Sequence, residues 1–377
     1  MKKIISYILA LSVLLLSGCV PTQTAGTLPE QNNAEYISMT VLGDNLMHMP
    51  VVESGRRSED SYDYSHIFEQ LQPYIMDTDI AVIGQETVFA GKEKGYSGYP
   101  FFNTPSDVGK TLVNEGFDIV LHASNHVMDK GSEGIENTIK FWNGYPQIKI
   151  LGINESEKEA EHIKTYVKKG VTLGLLNYTY GTNGMPLPSG REYLANVIDE
   201  EKIKRDVRMC EKGTDFTIAF MHWGEENYTE PSAAQRDLAQ KMCDWGVDLI
   251  VGSHPHVVQG AEWLEGKDGN KTFVYYSLGN FVSRQLKTKN LLGGIADINL
   301  KIQDGKVSID NAVLKPIITH YNNDCTDFCV YPLEKYTNTL AGEHGIIKYG
   351  EKMSIEALEE ILYNTFEGFD EKLIDYK

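Results

Sequence analysis

Short apolar segments alternate with helical patterns along most of this chain, and that alternation limits the folds it can adopt. From about residue 36 the apolar segments include YISMTVLGD, DIAVIGQE, GFDIVLHASNH, FTIAFMHWGEE and DLIVGSHPHV. Helical patterns such as GSEGIENTIKFWNG and SAAQRDLAQKMCDWG separate several of them. Strands that are apolar throughout are typical of sheets covered on both faces by other elements. The sequence therefore predicts an α/β fold.

The last part of the chain has a different pattern. Alternating residues in GGIADINLKIQDGKVSIDNAVLKPIITH flank an Asp-Gly pair, which is a strong signal for a tight hairpin turn. We expect this hairpin to form an antiparallel edge or a second sheet. A helical pattern, SIEALEEILYNTF, follows a region rich in turn residues. The predicted organisation is one domain over residues 36–320, with a C-terminal extension, residues 321–377, packed on the same domain.

The N-terminus has the composition of an export signal. Residues MKK give a positive end, IISYILALSVLLL gives an apolar stretch, and LSGC closes the segment at Cys19. The apolar stretch is short for a membrane helix and has the flanks of a secretory signal. LSGC resembles the bacterial lipobox, which implies a signal peptide over residues 1–18 and a lipid on Cys19; an uncleaved anchor is the alternative. Residues 19–35 are polar and indicate a flexible tether.

A lipid on Cys19 would hold the protein on the outer face of the bacterial cell membrane, in an extracellular location. The formal net charge of −18 argues against nucleic acid as a partner, because phosphate backbones are bound by dense positive charge. An exported location also permits disulfide bonds. Cys325 and Cys329 could close a small loop, and isolated thiols are equally compatible with the sequence.

Polar side chains of the metal-binding or acid–base type stand at the ends of five apolar segments. In open α/β sheets, active sites gather beyond the carboxyl ends of the strands, so the set predicts a metal site. Taken singly, each residue has an ordinary alternative, such as a helix cap, a surface ion pair, a turn or a hydrogen-bonded core histidine. The set comprises Asp44, Glu86, Asn125 with His126, His222, and His254 with His256.

Six segments, taken in order, resemble the motifs of one family. GDN, GQE, SNHVMDKG, HWGEE, GSHPHVVQ and SLGNF are similar to those of the CapA/PgsA capsule-synthesis family over roughly residues 37–285. That family is associated with poly-γ-glutamate and belongs to the calcineurin-like metallophosphoesterase superfamily. The resemblance implies a four-layer αββα sandwich and a centre for two divalent metal ions, drawn from Mn, Fe, Zn or Mg. The ligands it implies are Asp44, Glu86 and His256 for one ion, and Glu86, Asn125, His222 and His254 for the other, with Glu86 bridging.

Other residues complete the site that the resemblance implies. His126 would stand near the leaving-group oxygen as an acid or electrostatic stabiliser, and Asp129 would orient its ring. Asn280 and Arg284, in SLGNFVSRQ, follow a strand and are candidate contacts for a substrate anion. A surface loop is the alternative for both.

The first motif departs from the superfamily pattern Asp-x-His, because Asn45 and Leu46 follow Asp44. His48 is nearby but would need a shift of two positions. The acid of the second motif is Glu86, which is one methylene longer than aspartate. These departures bear on hydrolysis more than on metal binding.

Two classes of function fit these observations. The first is a metal-dependent hydrolase that cleaves a phosphoester or a polymer bond during capsule or poly-γ-glutamate biosynthesis. The second is a non-catalytic accessory protein for poly-γ-glutamate synthesis or export. Both imply the membrane as a partner, together with a poly-γ-glutamate synthase complex and its anionic polymer. A polymer-binding module without metal is a third, and the complete set of strand-end residues argues against it.

Overall fold

A computed structural model describes residues 34–376, apart from the side chain of Glu371. From Ala34 onward the chain forms one compact unit. The predicted signal segment, Cys19 and almost all of the tether lie outside the described residues. Signal cleavage and lipid attachment therefore stay predictions.

Strands and helices alternate through the first two-thirds of the described chain, and long strands follow. The strands are β1 (Glu35–Asn45), β2 (Arg56–Ser58), β3 (Ser61–Tyr62), β4 (Ile80–Gln85), β5 (Ile119–Leu121), β6 (Lys149–Leu151), β7 (Lys164–Lys168), β8 (Val171–Thr179), β9 (Phe216–His222), β10 (Leu249–Ser253), β11 (Ala261–Glu265), β12 (Lys271–Tyr275), β13 (Asn280–Val282), β14 (Leu292–Gln303), β15 (Lys306–His320) and β16 (Cys329–Pro332).

The α-helices are mostly short; the longer helices α5, α8 and α11 follow the predicted patterns, whereas α7 was not predicted. They are α1 (Met49–Ser54), α2 (Ser65–Phe68), α3 (Gln72–Met76), α4 (Asp107–Asn114), α5 (Gly131–Trp142), α6 (Glu157–Ala160), α7 (Glu200–Gly213), α8 (Ala233–Trp245), α9 (Thr288–Leu291), α10 (Asn338–Glu343) and α11 (Ile355–Thr365).

Eight strands form the first sheet, in the order β16-β15-β14-β1-β4-β5-β6, with β13 paired to β1. β1, β4, β5 and β6 run parallel to one another, whereas β14 to β16 continue the sheet antiparallel. Asp304 and Gly305 join β14 to β15 with φ of +54° and +73°. Positive φ at both positions is the signature of a type I′ turn. The predicted Asp-Gly hairpin is confirmed, and it forms the antiparallel side of this sheet.

The second sheet has six strands in the order β11-β12-β10-β9-β8-β7. Its central strands are parallel, and both edge strands are antiparallel to their neighbours. The apolar segment VYYSLGNFVS does not form one continuous strand. β12 ends at Tyr275 in the second sheet, and β13 begins at Asn280 in the first. The chain therefore crosses from one sheet to the other at this point.

The two sheets and the helices outside them make four layers. Val41 and Val82 of the first sheet belong to the same core cluster as Leu175 and Ile218 of the second. On the other face of the second sheet, side chains of α7 and α8 form a separate cluster with β9 and β10. Residues 80–83 of β4 are all buried, so helices also cover the outer face of the first sheet. The predicted αββα sandwich is confirmed.

The ends of α8 show why the sequence forms a helix there. Ser232 accepts a hydrogen bond from the backbone N–H of Gln235, whose side chain bonds back to Ser232, which is a capping box. Gly246 ends the helix with φ of +112°, a conformation that glycine adopts without steric cost. The helix is thus bounded by local chemistry on both sides, and β10 begins immediately after it.

Cys210, Cys243, Cys325 and Cys329 are all free thiols in the structure, so the loop between Cys325 and Cys329 is not closed by a disulfide. Within residues 34–376, no helix combines the length and the apolar character needed to cross a bilayer.

Candidate metal centre

Parallel pairing brings the ends of several strands to one edge of both sheets. In the second sheet, His222 ends β9 and pairs with Ser253 at the end of β10. In the first sheet, Asp44 pairs with Gly84 of β4 and with Asn280 of β13. Because neighbouring parallel strands end at the same edge, the polar residues that follow them meet there. The strand-end residues predicted as ligands from separate segments form one buried cluster.

Glu86 lies at the centre of this cluster, one residue after β4. Its side chain is buried, and both carboxylate oxygens lack a hydrogen-bond partner among the described residues. Oε1 lies 3.8 Å from Nε2 of His256, 3.9 Å from Nε2 of His222 and 4.0 Å from Nε2 of His126. Burial raises the pKa of Glu86 to about 8. A buried carboxylate surrounded by nitrogen atoms, none within hydrogen-bond distance, leaves room for a cation between them.

Asp44 connects the first sheet to the histidines of the second. Its Oδ2 accepts a hydrogen bond from the backbone N–H of His254 at 3.1 Å and lies 3.4 Å from Nδ1 of His256. Its Oδ1 lies 3.7 Å from Nδ1 of His222. Although burial alone would lower the pKa of His256, the negative charges of Glu86 and Asp44 raise it to about 9. The site attracts positive charge.

The His-Pro-His segment turns sharply after β10. His254 has φ of +95° and His256 has φ of +57°, values that residues other than glycine rarely adopt. Such strain costs on the order of 1–3 kcal/mol per residue and is typical of functional sites. His254 Nδ1 is buried without a hydrogen-bond partner among the described residues, and burial lowers the pKa of this histidine to about 3. A neutral imidazole with a free nitrogen is the form that binds metal.

His222 and Asn125 face each other across the two sheets. Nε2 of His222 lies 2.9 Å from Oδ1 of Asn125, and Nδ1 lies 3.0 Å from Oγ of Ser253. Burial keeps the pKa of His222 well below its ordinary value, so the ring is neutral. Two ligands about 2.1 Å from one ion stand roughly 3 Å apart, which is close to the separation of His222 and Asn125. The geometry fits both residues as ligands of the same ion.

His126 is held by Asp129. Nδ1 of His126 lies 2.8 Å from Oδ2 of Asp129, and the same oxygen accepts a hydrogen bond from the backbone N–H of Phe102 at 2.7 Å. The ring of Phe102 packs against that of His126 at 4.7 Å. Burial acts to lower the pKa of His126, but the hydrogen bond to Asp129 and the charge of Glu86 outweigh it and raise the pKa. Asp129 thus fixes the ring and leaves Nε2 directed at the cluster.

Asn280 and Arg284 are placed differently from each other. Asn280 supports the cluster, since its Oδ1 lies 3.0 Å from Nδ1 of His256 while its amide group donates to neighbouring carbonyl and hydroxyl groups. The Arg284 side chain donates to Sγ of Cys325 and to the hydroxyl of Tyr349. Its backbone N–H donates to Nδ1 of His48. Asn280 therefore supports the proposed ligand His256, and the Arg284 guanidinium is directed toward the C-terminal segment. Substrate contact by either residue stays a prediction.

Three further residues, not included in the predicted site, lie at or beside the cluster. Glu226, on an exposed loop after β9, has a carboxylate oxygen near His254 and His256. Asn183 accepts a hydrogen bond from the Asn125 amide at 3.1 Å. Tyr180 packs its ring against His254 at 4.5 Å. The HWGEE segment carried the signal for Glu226, whereas nothing in the sequence marked Asn183 or Tyr180.

The donor atoms form two triads that share His256. In the inner triad of Asp44, Glu86 and His256, and in the outer triad of Glu226, His254 and His256, one donor atom from each residue lies within 4.8 Å of the others. Carboxylate, amide and imidazole donors without thiolate suit Mn, Fe, Zn or Mg. The unpartnered atoms of Glu86 and His254 are what ligands of an absent ion would show, so the residues fit the implied metal centre.

Comparisons with known proteins agree with this arrangement. A family model described as "Bacterial capsule synthesis protein PGA_cap" matches residues 38–285, which is more than half of the chain and includes every residue of the cluster. The chain belongs to this family. The resemblance to capsule-synthesis proteins that the motifs indicated is confirmed.

Two capsule biosynthesis proteins align with this chain over most of their length. The chain is 28% identical over 306 residues to "Capsule biosynthesis protein CapA" of Bacillus anthracis, covering 77% of this chain and 71% of that protein. It is 29% identical over 282 residues to "PGA biosynthesis protein CapA" of Bacillus subtilis, covering 71% and 68%. The chain is thus a CapA-like member of a capsule biosynthesis family.

A solved structure supports the fold assignment. NAD nucleotidase NadN of Haemophilus influenzae aligns with a TM-score of 0.50 at 10% sequence identity, covering 89% of this chain. The alignment spans 60% of NadN, which is less than two-thirds of that protein. The likeness therefore concerns the fold alone.

Proposed function

We propose that this CapA-like protein is a metal-dependent hydrolase on the outer face of the cell membrane, lipid-anchored through Cys19, that cleaves a phosphoester during capsule biosynthesis. The observation that carries the proposal is Glu86, a buried carboxylate with two unpartnered oxygens that faces three imidazole rings. Leaving both oxygens of a buried carboxyl group without a hydrogen-bond partner is costly in the absence of a cation. The cost is explained if the site exists to hold divalent ions.

The ligands each have a defined part in holding the ions. Asp44, Glu86 and His256 surround one position, and His222 with Asn125 faces Glu86 from the other side. When bound, a pair of divalent ions would lower the pKa of a water molecule and withdraw charge from a phosphoryl oxygen. The chain supplies the fixed donor geometry, since strain at His254 and His256 is maintained by the packed sheets around them.

His126 is the proton donor of the proposed reaction. Its Nδ1 is engaged by Asp129, so Nε2 is the atom available to a substrate. Nε2 stands 4.0 Å from Oε1 of Glu86, about as far as the Nε2 atoms of His222 and His256. The non-ligand role of His126 therefore rests on the family resemblance and on its hydrogen bond to Asp129. A proton on Nε2 would pass to the leaving-group oxygen as the ester bond breaks. Asp129 keeps the ring in the orientation that this transfer requires.

A cavity of about 400 Å³ opens beside Tyr180 and could take the part of the substrate that does not react. Its lining includes Glu200, Glu225 and Asp237, of which Glu200 and Asp237 share one cation, Lys241. The excess of carboxylates would repel a polyanion such as poly-γ-glutamate. The cavity thus favours a phosphoester with a neutral or cationic alcohol part over a bond within that polymer.

Replacement of His126 tests the catalytic assignment. His126→Ala is expected to lower hydrolysis of a phosphodiester or phosphomonoester reporter by about 10²- to 10⁴-fold, the usual contribution of an acid catalyst. Metal content should remain close to that of the parent protein, because His126 is not a ligand. His162→Ala, which removes an exposed imidazole away from the site, is the control and should change neither quantity. Loss of metal together with activity would contradict the assigned role.

A non-catalytic accessory role is the second candidate, and Leu46 is the observation in its favour. The superfamily places a histidine at this position, whereas Leu46 is a buried apolar residue and the neighbouring Asn45 amide donates to Gln85. The inner ion would then have one ligand fewer. A site with a missing ligand can stabilise a scaffold without supporting turnover.

Capsule production in cells separates the two candidates. If the protein is an accessory scaffold, His126→Ala should leave polymer output unchanged, and Cys19→Ala should abolish output by releasing the chain from the membrane. If it is a hydrolase, both substitutions should reduce output. Normal output from a Cys19→Ala strain would contradict membrane tethering under either candidate.

A further inference from the structure

We infer that Glu226 is a ligand of the outer metal ion and supplies a donor that the implied ligand set does not contain. This inference rests on the proposed metal centre. Glu226, His254 and His256 each place one donor atom within 4.8 Å of the other two. Glu226 is exposed, whereas His254 and His256 are buried, so the carboxylate covers the histidine pair from the solvent side.

A second observation points to a ligand at this position. His254 is 2% exposed, and its Nδ1 has no hydrogen-bond partner among the described residues. A buried imidazole nitrogen without a partner loses the hydrogen bond it would have in water. A metal ion held by Glu226, His254 and His256 would supply the missing partner if it binds at Nδ1 of His254.

The loop that carries Glu226 is fixed to the His-Pro-His segment. The backbone N–H of Asn227 donates to the carbonyl oxygen of Pro255 at 2.7 Å. The Asn290 amide donates both to Oδ1 of Asn227 at 2.8 Å and to the carbonyl oxygen of His256 at 3.0 Å. Asn227 has φ of +67°, so the chain turns sharply directly after Glu226. These contacts hold the carboxylate above the two rings.

The nearby cation does not neutralise Glu226. Lys289 donates its ammonium group to the carbonyl oxygen of Asn227 at 2.7 Å, and no described residue forms an ion pair with the Glu226 carboxylate. Asp44 and Glu86 supply two negative charges for two divalent ions, and Glu226 would supply a third. The outer triad has one carboxylate and two imidazole donors, and its carboxylate is exposed, whereas the inner triad is buried and has two carboxylates. Access of solvent to Glu226 favours an outer ion that exchanges more readily than the inner one.

Titration of the full chain, purified in detergent and stripped of metal, tests the inference. Mn²⁺ binding would be followed by calorimetry and by the electron paramagnetic resonance of free Mn²⁺. The parent protein is expected to bind two ions, with the second more weakly. Glu226→Gln should raise the Kd of the second ion by at least about 10-fold, the smallest effect of losing even an outer partner, and leave the first within about twofold.

Glu225→Gln is the matched control, because it removes a neighbouring exposed carboxylate from the same loop that is not part of either triad. It should leave both Kd values within about twofold of the parent values. His256→Ala should weaken both ions, since both triads use His256. Glu226→Asp, which keeps the charge on a shorter side chain, should give a second Kd between those of the parent and of Glu226→Gln.

The outcomes separate failure of the inference from failure of the proposed function. Equal Kd values for Glu226→Gln, Glu225→Gln and the parent would overturn the inference and leave the hydrolase proposal standing. If Glu226→Gln selectively loses the second ion and the parent protein hydrolyses no phosphoester, the inference is supported and the hydrolase proposal is removed. A parent protein that binds no Mn²⁺ would overturn both. If Glu226→Gln fails to fold, as judged by its metal-free melting curve, Glu226→Asp takes its place. A second Kd above the parent value would then support the inference, and a second Kd equal to the parent value would overturn it.

Discussion

At the scale of single residues, a half-buried carboxylate outside the metal centre shows how strongly this fold perturbs charge. Asp248 stands at the start of β10, away from the metal ligands, and accepts a hydrogen bond from the backbone N–H of Thr217 at 2.7 Å. Burial raises its pKa from 3.8 to about 7. The hydrogen bond acts in the opposite direction, but it does not compensate for the loss of solvation.

A raised pKa in the folded protein makes stability depend on pH with a defined sign. Between about pH 4 and pH 7 the folded chain holds a proton on Asp248 that the unfolded chain has released, so stability falls as the pH rises. The effect amounts to about 1.4 kcal/mol for each unit by which the pKa is raised. Asp248→Asn should therefore gain stability relative to the parent between pH 5 and pH 8.

Urea unfolding in the presence of chelator measures this difference at the two pH values. Asp215→Asn is the control, since Asp215 accepts the same kind of backbone hydrogen bond at an exposed position. A free energy of unfolding that changes with pH equally in Asp248→Asn and in the parent would refute the assignment. Groups of the metal centre titrate in both proteins and cancel in the comparison.

At the scale of elements, the end of β10 must let the segments that follow its neighbouring strands β9 and β12 approach closely. Gly252 precedes Ser253 and the His-Pro-His segment, and a Cβ at this position would overlap the carbonyl oxygen of Tyr276 and stand 2.6 Å from Nε1 of Trp223. The missing side chain allows β10 to contact the connection between β12 and β13. The position of His254 therefore depends on a glycine two residues before it.

Gly252→Ala should lower the free energy of unfolding by about 1–3 kcal/mol or more, the usual cost of overpacking. It should also weaken metal binding, because the strand end that orients His254 and His256 must shift. Gly213→Ala, at the last residue of α7 where a Cβ meets no atom within 4 Å, is the control and should be tolerated. Thermal melting and metal titration of both variants measure the two effects. A Gly252→Ala protein with parental stability would show that the backbone gives way without cost.

Elements with strong local signals were predictable, and those defined by tertiary contacts were not. The ends of α8 are marked in the sequence by its capping box and its terminal glycine. The turn between β14 and β15 is marked by the Asp-Gly pair. The crossing between β12 and β13 has no such local signal, because the periodicity of an apolar segment does not indicate which of two sheets each strand joins. Helix α7 was not predicted either, although Asp199 acts as its N-cap by accepting a hydrogen bond from the backbone N–H of Lys202.

The site was predictable where it lies at strand ends and unpredictable where it depends on loops. Glu86 follows β4 and His222 ends β9, so parallel pairing places each residue at the carboxyl edge of its own sheet. The packing of the two sheets on one core then brings these edges together. Glu226 lies on an exposed loop, where acidic residues are common and position cannot be derived from strand register. Arg284 follows β13 closely, yet its guanidinium turns toward Tyr321 and Tyr349, since cation–π contacts are available there.

At the scale of the whole molecule, a chain with a net charge of −18 concentrates imidazole rings and carboxylates in one buried cluster between two sheets. Metal binding would stabilise the folded state because the ions bind the assembled cluster and the unfolded chain has no such site. The same ions would offset buried negative charge that otherwise opposes folding. The proposed capsule chemistry depends on a centre that must first hold metal.

Metal content is the most direct test of that centre. Plasma mass spectrometry on the full chain, purified without chelator, should find about two equivalents of divalent metal, as expected for a two-metal site. His254→Ala should lose at least half of it, whereas His162→Ala, at an exposed histidine away from the cluster, should retain it. Equal metal content in all three proteins, or none in the parent even after incubation with Mn²⁺ or Zn²⁺, would contradict the account.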